Sequence, residues 1–251
     1  MTNILLCGCF GRMGKEVTLR ALESPEFRVI SGVDIADGVS DFPVYKCIDE
    51  SIETPDVIVD FSHHTSLPSI MEYATKMGVP VVIATTGHTA EEMKIMRKSA
   101  EKIPVFFSRN MSIGVNLLIA LAKKASEFLG SEYDIEIIEK HHRNKLDAPS
   151  GTALMIADAI AECRESTSHV YDRHDKRAKR SSEEIGIHAV RGGSIIGEHE
   201  VMFAGNDEVI TISHSAASRS LFATGALKAA AFIVGKNAGM YCMNDMINGI
   251  I

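Results

Sequence analysis

With 251 residues, 45% of them hydrophobic and 24% charged, the chain can bury a substantial core in one large domain or two modest ones, and disorder is excluded over most of it. A formal net charge of -7 argues against broad binding to nucleic acid while leaving room for a local basic patch that holds a small anion. The longest apolar runs have strand or core-helix length, far short of the roughly 20 residues of a membrane span, so no membrane partner is expected.

The chain opens on a strand-like apolar run, residues 4–8, without a charged leader or cleavage site, and a cytoplasmic location is the default expectation. Residues 12–22 carry Met13, Val17, Ala21 and Leu22 at helical spacing, which gives strand, tight turn, helix. A second apolar run, 27–33, ends on Asp34, and 56–60 reads as another short strand buried on both faces, as parallel strands are. The alternation continues with a strand at 79–84, a helix over about 89–101 and a strand at 104–107. Such an order predicts a doubly wound parallel sheet. After Ser112 a long helical pattern runs to about Leu129, and Ile135-Glu136-Ile137-Ile138 leads as a strand straight into a histidine pair.

From Glu184 onward the organisation changes. The runs 185–190, 199–203 and 208–213 are strand-like with turn residues between them, which suggests an open mixed or antiparallel sheet. A final alanine-rich helix, about 220–234, has enough apolar surface to dock back on the first domain. The reading is an α/β chain in which a discontinuous nucleotide-binding domain, 1–112 plus 219–251, surrounds an inserted α+β domain, 113–218, built on the open mixed sheet. The basic run from Arg173 to Arg180 lies between serine-rich stretches and reads as a solvated loop. Five cysteines, Cys7, Cys9, Cys47, Cys163 and Cys242, form no C-x-x-C pair and read as reduced apolar fillers.

Gly8-Cys9-Phe10-Gly11-Arg12-Met13-Gly14 is G-x-x-G-x-x-G placed where a strand turns into a helix. Glycines there allow a tight turn and close backbone approach, and the helix N-terminus aims N–H groups and positive dipole at a pyrophosphate. Asp34 closes the next strand, twenty residues beyond Gly14, where a carboxylate can accept from ribose hydroxyls. Together these features predict a Rossmann-like dinucleotide site. Ile35 follows Asp34 where a 2′-phosphate reader needs a cation, which favours NADH, while Arg12 keeps NADPH open. Ala84-Thr85-Thr86-Gly87 and Ser108-Arg109-Asn110-Met111 are further turns at strand ends on the same carboxyl edge.

His141-His142-Arg143-Asn144-Lys145 concentrates cations at a strand end, and Asp147-Ala148-Pro149-Ser150-Gly151-Thr152 opens a helix whose apolar face includes Ala153, Leu154 and Ile156. Backbone N–H groups of Gly151 and Thr152 at that helix start, beside a lysine and imidazoles, suit a small carboxylate. Histidine can also deliver a proton near neutral pH, as hydride addition to a conjugated C=N or C=C bond requires. A metal site is the other use of histidine, with His63-His64, His141-His142 and Glu198-His199-Glu200 as donors. Adjacent strand residues face opposite sides and neither H-E-x-x-H nor His-x-His occurs, so no metal is expected. Two rivals share the glycine loop: another dehydrogenase of amino-acid metabolism, and a noncatalytic NAD-sensing module.

With the glycine loop, Asp60-Phe61-Ser62, Thr85-Thr86-Gly87 and the run from His141 to Ala153 in hand, the chain resembles the 4-hydroxy-tetrahydrodipicolinate reductases, long called dihydrodipicolinate reductases. The likeness continues through Glu184, Gly186, His188 and Arg191 to Gly197-Glu198-His199 and Ser218-Arg219, and so covers essentially the full chain. It implies reduction, by NADH or NADPH, of a cyclic dicarboxylate on the diaminopimelate route to lysine, and commonly a homotetramer built on the inserted domain. It implies that His141 is the proton donor, Lys145 the catalytic and substrate-orienting cation, and His142, Ser150, Gly151 and Thr152 the substrate-binding set. Around the cofactor it implies Gly8, Cys9, Phe10, Gly11, Arg12, Met13, Gly14, Asp34, Ala84, Thr85, Thr86, Ser108, Arg109, Asn110 and Met111. Ala84 departs from the pattern, because many members have glycine before the two threonines.

Overall fold

A computed structural model describes residues 1–248; the last three residues of the expected nucleotide-binding domain lie outside the described residues. The first stretch comprises β1 (Thr2–Cys7), α1 (Arg12–Leu22), β2 (Phe27–Val33), β3 (Val44–Tyr45), β4 (Val57–Asp60), α2 (Leu67–Met77), β5 (Val81–Ile83), α3 (Ala90–Ala100) and β6 (Pro104–Phe107). Then come α4 (Ile113–Leu129), β7 (Asp134–His141), α5 (Gly151–Ala161), β8 (Ser168–Val170), β9 (Glu184–Arg191), β10 (Glu198–Ala204) and β11 (Val209–Ser215). The chain ends on α6 (Ser220–Ile233), β12 (Gly239–Tyr241) and α7 (Met243–Asn248). It divides into two compact units, Met1–Ile113 with the chain from Arg219 onward, and Gly114–Ser218.

The first unit is a seven-stranded sheet in the order β12-β6-β5-β4-β1-β2-β3, with every pairing parallel. Its central strands carry apolar side chains on both faces because helices cover both. Ile4 and Leu6 of β1 join Val57, Val59 and Phe106 beneath α1 and α6. Leu5 and Cys7, pointing the other way, join Ile58, Val81, Ile83 and Val105 beneath α2 and α3. The strand order reverses between β1 and β4, and the carboxyl ends of strands at such a switch point are where open α/β sheets take ligands.

The sequence reading did not include α2, whose Leu67, Ile70, Met71 and Ala74 nonetheless lie at helical spacing and are buried. Its boundaries are also written in the sequence, with proline in the first turn and Gly78 at a φ of 69° closing the C-terminus. The two- and three-residue strands β3, β8 and β12 carry too little alternation to be read.

The second unit is a five-stranded mixed sheet, β11-β10-β7-β9-β8. β10 runs antiparallel to both β11 and β7, whereas β9 is parallel to β7 and to β8. Strict alternation of half-buried and buried residues along β7 sends Ile135, Ile137, Glu139 and His141 to one face. Ile135 and Ile137 pack with Ile185, Ile187, Val201 and Phe203 under Ala153, Ile156 and Ile160 of α5. At the carboxyl end of β7 that same face turns polar.

Candidate active site

In the first unit the glycine loop runs directly off β1. Gly8 has a φ of 77°, and a Cβ there would stand 2.6 Å from the Phe61 carbonyl oxygen. A Cβ at Gly14 would run into the Gly8 carbonyl, so both positions require glycine. The loop delivers the chain to α1, whose N-cap, Gly11, offers no side-chain cap and whose first turn holds no acidic residue. A helix start left in that state, with its backbone donors uncapped by side chains, fits a pyrophosphate. Cys9 is buried in the core beneath the loop and only its backbone is suited to ligand contact, whereas Arg12 is exposed.

Asp34 lies at the end of β2 with its two carboxylate oxygens divided. Oδ2 accepts from the Phe10 N–H at 2.8 Å and Oδ1 from the Ala36 N–H at 2.9 Å. The carboxylate thus ties the glycine loop to the turn after β2, and its remaining lone pairs fit ribose hydroxyls. Lys46 bonds the Ile35 and Ala36 carbonyls at 3.0 and 2.9 Å and pairs with Asp37 at 2.6 Å. A cation in that turn is therefore already neutralised.

The turns after β4 and β5 are joined by a carboxylate, Asp60, that belongs to the resemblance motif but has no role assigned from sequence. Asp60 is fully buried, and accepts from the Ser62 N–H at 2.9 Å and from the Thr85 hydroxyl at 2.9 Å, with the Ser62 hydroxyl as a third donor. Burial pushes its pKa up, opposed by the bonds from Ser62 and Thr85. The carbonyl of Thr85 accepts from Nε2 of His88 at 3.1 Å, so Thr85 is held at both ends. Thr89 and Glu92 form a capping box at the start of α3, and Glu92 also receives Nδ1 of His64 at 2.9 Å. These bonds, with the Ala84 N–H donating to the Asp60 carbonyl at 3.0 Å, fix Ala84 and Thr85 along the carboxyl edge.

After β6, the Ser108 hydroxyl donates to the Asn110 carbonyl at 2.7 Å, and Oδ1 of Asn110 accepts from the Ser112 N–H at 2.8 Å. Arg109 is exposed, while Met111 is buried in the core. A Cβ on Gly225 of α6 would strike the Met111 carbonyl, so α6 abuts this turn.

In the second unit the polar end of the buried sheet face carries a cluster of titratable side chains. Glu139 is fully buried, and Arg191 grips it from the neighbouring strand, with Nη1 2.7 Å from Oε2 and Nη2 2.6 Å from Oε1. Oε2 also meets Nδ1 of His141 at 2.6 Å, and Oε1 accepts from the Ser150 N–H at 2.9 Å. Burial works against the charge of Glu139, but Arg191, His141 and the Ser150 N–H outweigh it and hold its pKa below the usual value. Burial pushes the His141 pKa down, opposed by Glu139.

The hydroxyl of Ser150 caps α5 by accepting from the Ala153 N–H at 3.1 Å, and also lies 3.0 Å from Nε2 of His199. Ser150 therefore seats the helix with its side chain, and Gly151 and Thr152 form the helix start itself. His199 is buried, stands edge-on to His141 with ring centroids 5.3 Å apart, and has its pKa pushed down to about 4, first by burial and then by His141. Lys145 is paired with Asp147 at 2.8 Å, and His142 is half-buried.

The structure thus gathers His141, Lys145, Ser150, Gly151 and Thr152 around one strand end and helix start. Glu139, Arg191 and His199 join them, although the sequence assigns none of the three a role at this site. The signal for Glu139 is its position two residues before His141 on a strand, hence on the same face; Arg191 enters the sequence reading only within the stretch that carries the family resemblance.

The chain matches two family descriptions, "Dihydrodipicolinate reductase, N-terminus" over residues 2–111 and "Dihydrodipicolinate reductase, C-terminus" over residues 114–247. It is 52% identical over 248 residues to a 4-hydroxy-tetrahydrodipicolinate reductase of Caldanaerobacter subterraneus, with 98% of each chain covered. A protein of the same name from Staphylococcus epidermidis is 43% identical, covering 97% of this chain and all of the other. Among solved structures, a dipicolinate-bound dihydrodipicolinate reductase from Paenisporosarcina superposes with a TM-score of 0.82 at 25% identity, covering 97% of this chain and 99% of that one. A DAP dehydrogenase of Corynebacterium glutamicum shares the fold alone, at 11% identity and a TM-score of 0.59 over all of this chain and 99% of the other.

Proposed function

The chain belongs to the 4-hydroxy-tetrahydrodipicolinate reductase family, and within it we propose that Lys145, His142 and the Gly151-Thr152 helix start hold the dicarboxylate while His141 supplies the proton. The activity is NAD(P)H-dependent reduction of 4-hydroxy-tetrahydrodipicolinate to tetrahydrodipicolinate, on the diaminopimelate route of lysine biosynthesis. The observation that carries the assignment of roles is the gathering of a lysine, an imidazole on a buried carboxylate and a helix start at one end of the second sheet.

The nicotinamide, when bound, supplies the hydride. The protein's part is to orient and to manage charge. In the first unit the start of α1, Asp34, the clamped Ala84-Thr85-Thr86 turn and residues 108–111 would hold the dinucleotide. Lys145 turns from Asp147 to a substrate carboxylate, a second carboxylate meets His142 and the start of α5, and His141 protonates the carbon next to the one reduced. The dipicolinate bound by the Paenisporosarcina relative supports a cyclic dicarboxylate as the ligand. No helix among the described residues is long and apolar enough to cross a membrane, and a cytoplasmic site of action accords with a small-molecule substrate and nicotinamide cofactor.

The test is an assay coupled to fresh condensation of pyruvate with aspartate semialdehyde, followed by loss of reduced-cofactor absorbance. Absence of substrate-dependent oxidation would sink the assignment. NADH is the preferred cofactor in this reading, because the Asp34 carboxylate beside the glycine loop would suit a free ribose hydroxyl and Lys46 is occupied by Asp37. Asp34→Ala should then weaken NADH more than NADPH, and equal weakening of both would remove Asp34 from the discrimination.

A further inference from the structure

We propose that Glu139 and Arg191 are a positioning pair for His141: the carboxylate fixes which ring nitrogen keeps its proton, and the guanidinium sets how much negative charge the ring feels. The proposal rests on the reading of His141 as the acid and assigns what controls it. An ionised carboxylate can only accept hydrogen bonds, and Glu139 is held ionised by two guanidinium bonds at 2.6 and 2.7 Å and a backbone N–H at 2.9 Å. The 2.6 Å contact with His141 therefore requires the proton on Nδ1. Nε2 is left as the nitrogen that loads and delivers the catalytic proton.

A second observation points to the same nitrogen. A Cβ at position 197 would lie 3.1 Å from Nε2 of His141, so glycine there keeps side-chain bulk off the reactive side of the ring. The groups facing His141 are Glu139 on its own strand, Arg191 on β9, His199 on β10 and Lys145 on the following loop. Only Glu139 is negative among them. Arg191 shares that single negative charge, and through Nη2 it also holds the Asp147 carbonyl at 2.7 Å. The same side chain therefore couples the charge on the ring to the loop that carries Lys145.

The pair makes two opposite predictions for the alkaline limb of the kcat/KM profile, which reports the acid of the free enzyme. E139Q removes the negative charge and should move the limb down by at least about one pH unit with a roughly tenfold or greater loss of kcat. R191M should move the limb up, and neither variant should change NADH affinity. A limb that disappears in H141Q but stays in place in E139Q and R191M overturns the pairing alone; a limb that survives in H141Q overturns the acid assignment and the pairing with it. Since either single variant leaves an unpaired charge, fully buried in R191M, and could fail to fold, ¹⁵N-histidine NMR of the wild-type enzyme gives an independent reading. With the His141 signals identified by their loss in H141Q, an Nδ1–H tautomer supports the pair and an Nε2–H tautomer rules it out.

Discussion

At the scale of single residues, half-buried Lys145 and buried His199 serve different purposes. Lys145 is paired with an exposed partner, Asp147, and such pairs contribute little to stability. Lys145→Ala should therefore leave folding and NADH affinity nearly intact while lowering kcat at least about a hundredfold; unchanged turnover would take the residue out of the mechanism. His199 acts on stability. Its pKa of about 4 in the folded state lies below the value of about 6.5 in an unfolded chain. Above pH 6.5 both states are neutral and nothing is lost. As the pH falls from 6.5 toward 4 the unfolded chain binds a proton that the folded one refuses, so stability declines, by on the order of 3 kcal/mol in all. Urea titrations at pH 7 and 4.5 should show this decline shrinking in His199→Gln. The His141 to Thr152 groups could be read from sequence because they are contiguous. Glu139 and Arg191 are 52 residues apart, and Asp60 and Thr85 are 25 apart, so only the folded chain pairs them.

At the scale of elements, the carboxyl edge of the first sheet, where we place the cofactor, depends on turns that hold one another. Asp60 collects donors from Ser62 and Thr85, and His88 holds the other end of Thr85. Asp60→Asn places an amide donor among those donors, and burying one mismatched group costs about 1–3 kcal/mol. The expected outcome is a lower unfolding temperature together with a several-fold higher Kd for NADH by calorimetry. A loss of stability with unchanged Kd would show that the clamp serves the fold and not the cofactor. Strands and helices with strong periodicity, β1, α1, β6 and α6 among them, were legible because burial follows the pattern directly. By contrast α2 starts without a side-chain N-cap bond, and β3, β8 and β12 gain their strand character from sheet partners.

For the whole molecule, the second sheet covers one face with α5 and leaves residues of the other open. Val190 and Val209 are exposed on that face, beside half-buried Ile138 and Met202. Light scattering should report a homotetramer, with the lysine substitution Val190→Lys shifting the mass downward; a wild-type monomer at working concentration would discard that reading. The order of elements in the sequence already conveyed that one sheet interrupts another. The first unit carries a consequence for the chain's birth on the ribosome. The face under α2 and α3 is completed by residues 5–105. The opposite face, with Ile4, Leu6 and Val17, waits for Ala223, Ala226, Leu227, Ala230 and Ile233 of α6. At about 5–20 residues per second, translation of the intervening unit imposes a delay on the order of ten seconds. Throughout that interval the emerging protein presents a half-clad sheet, an opening for chaperones and for neighbouring nascent chains alike.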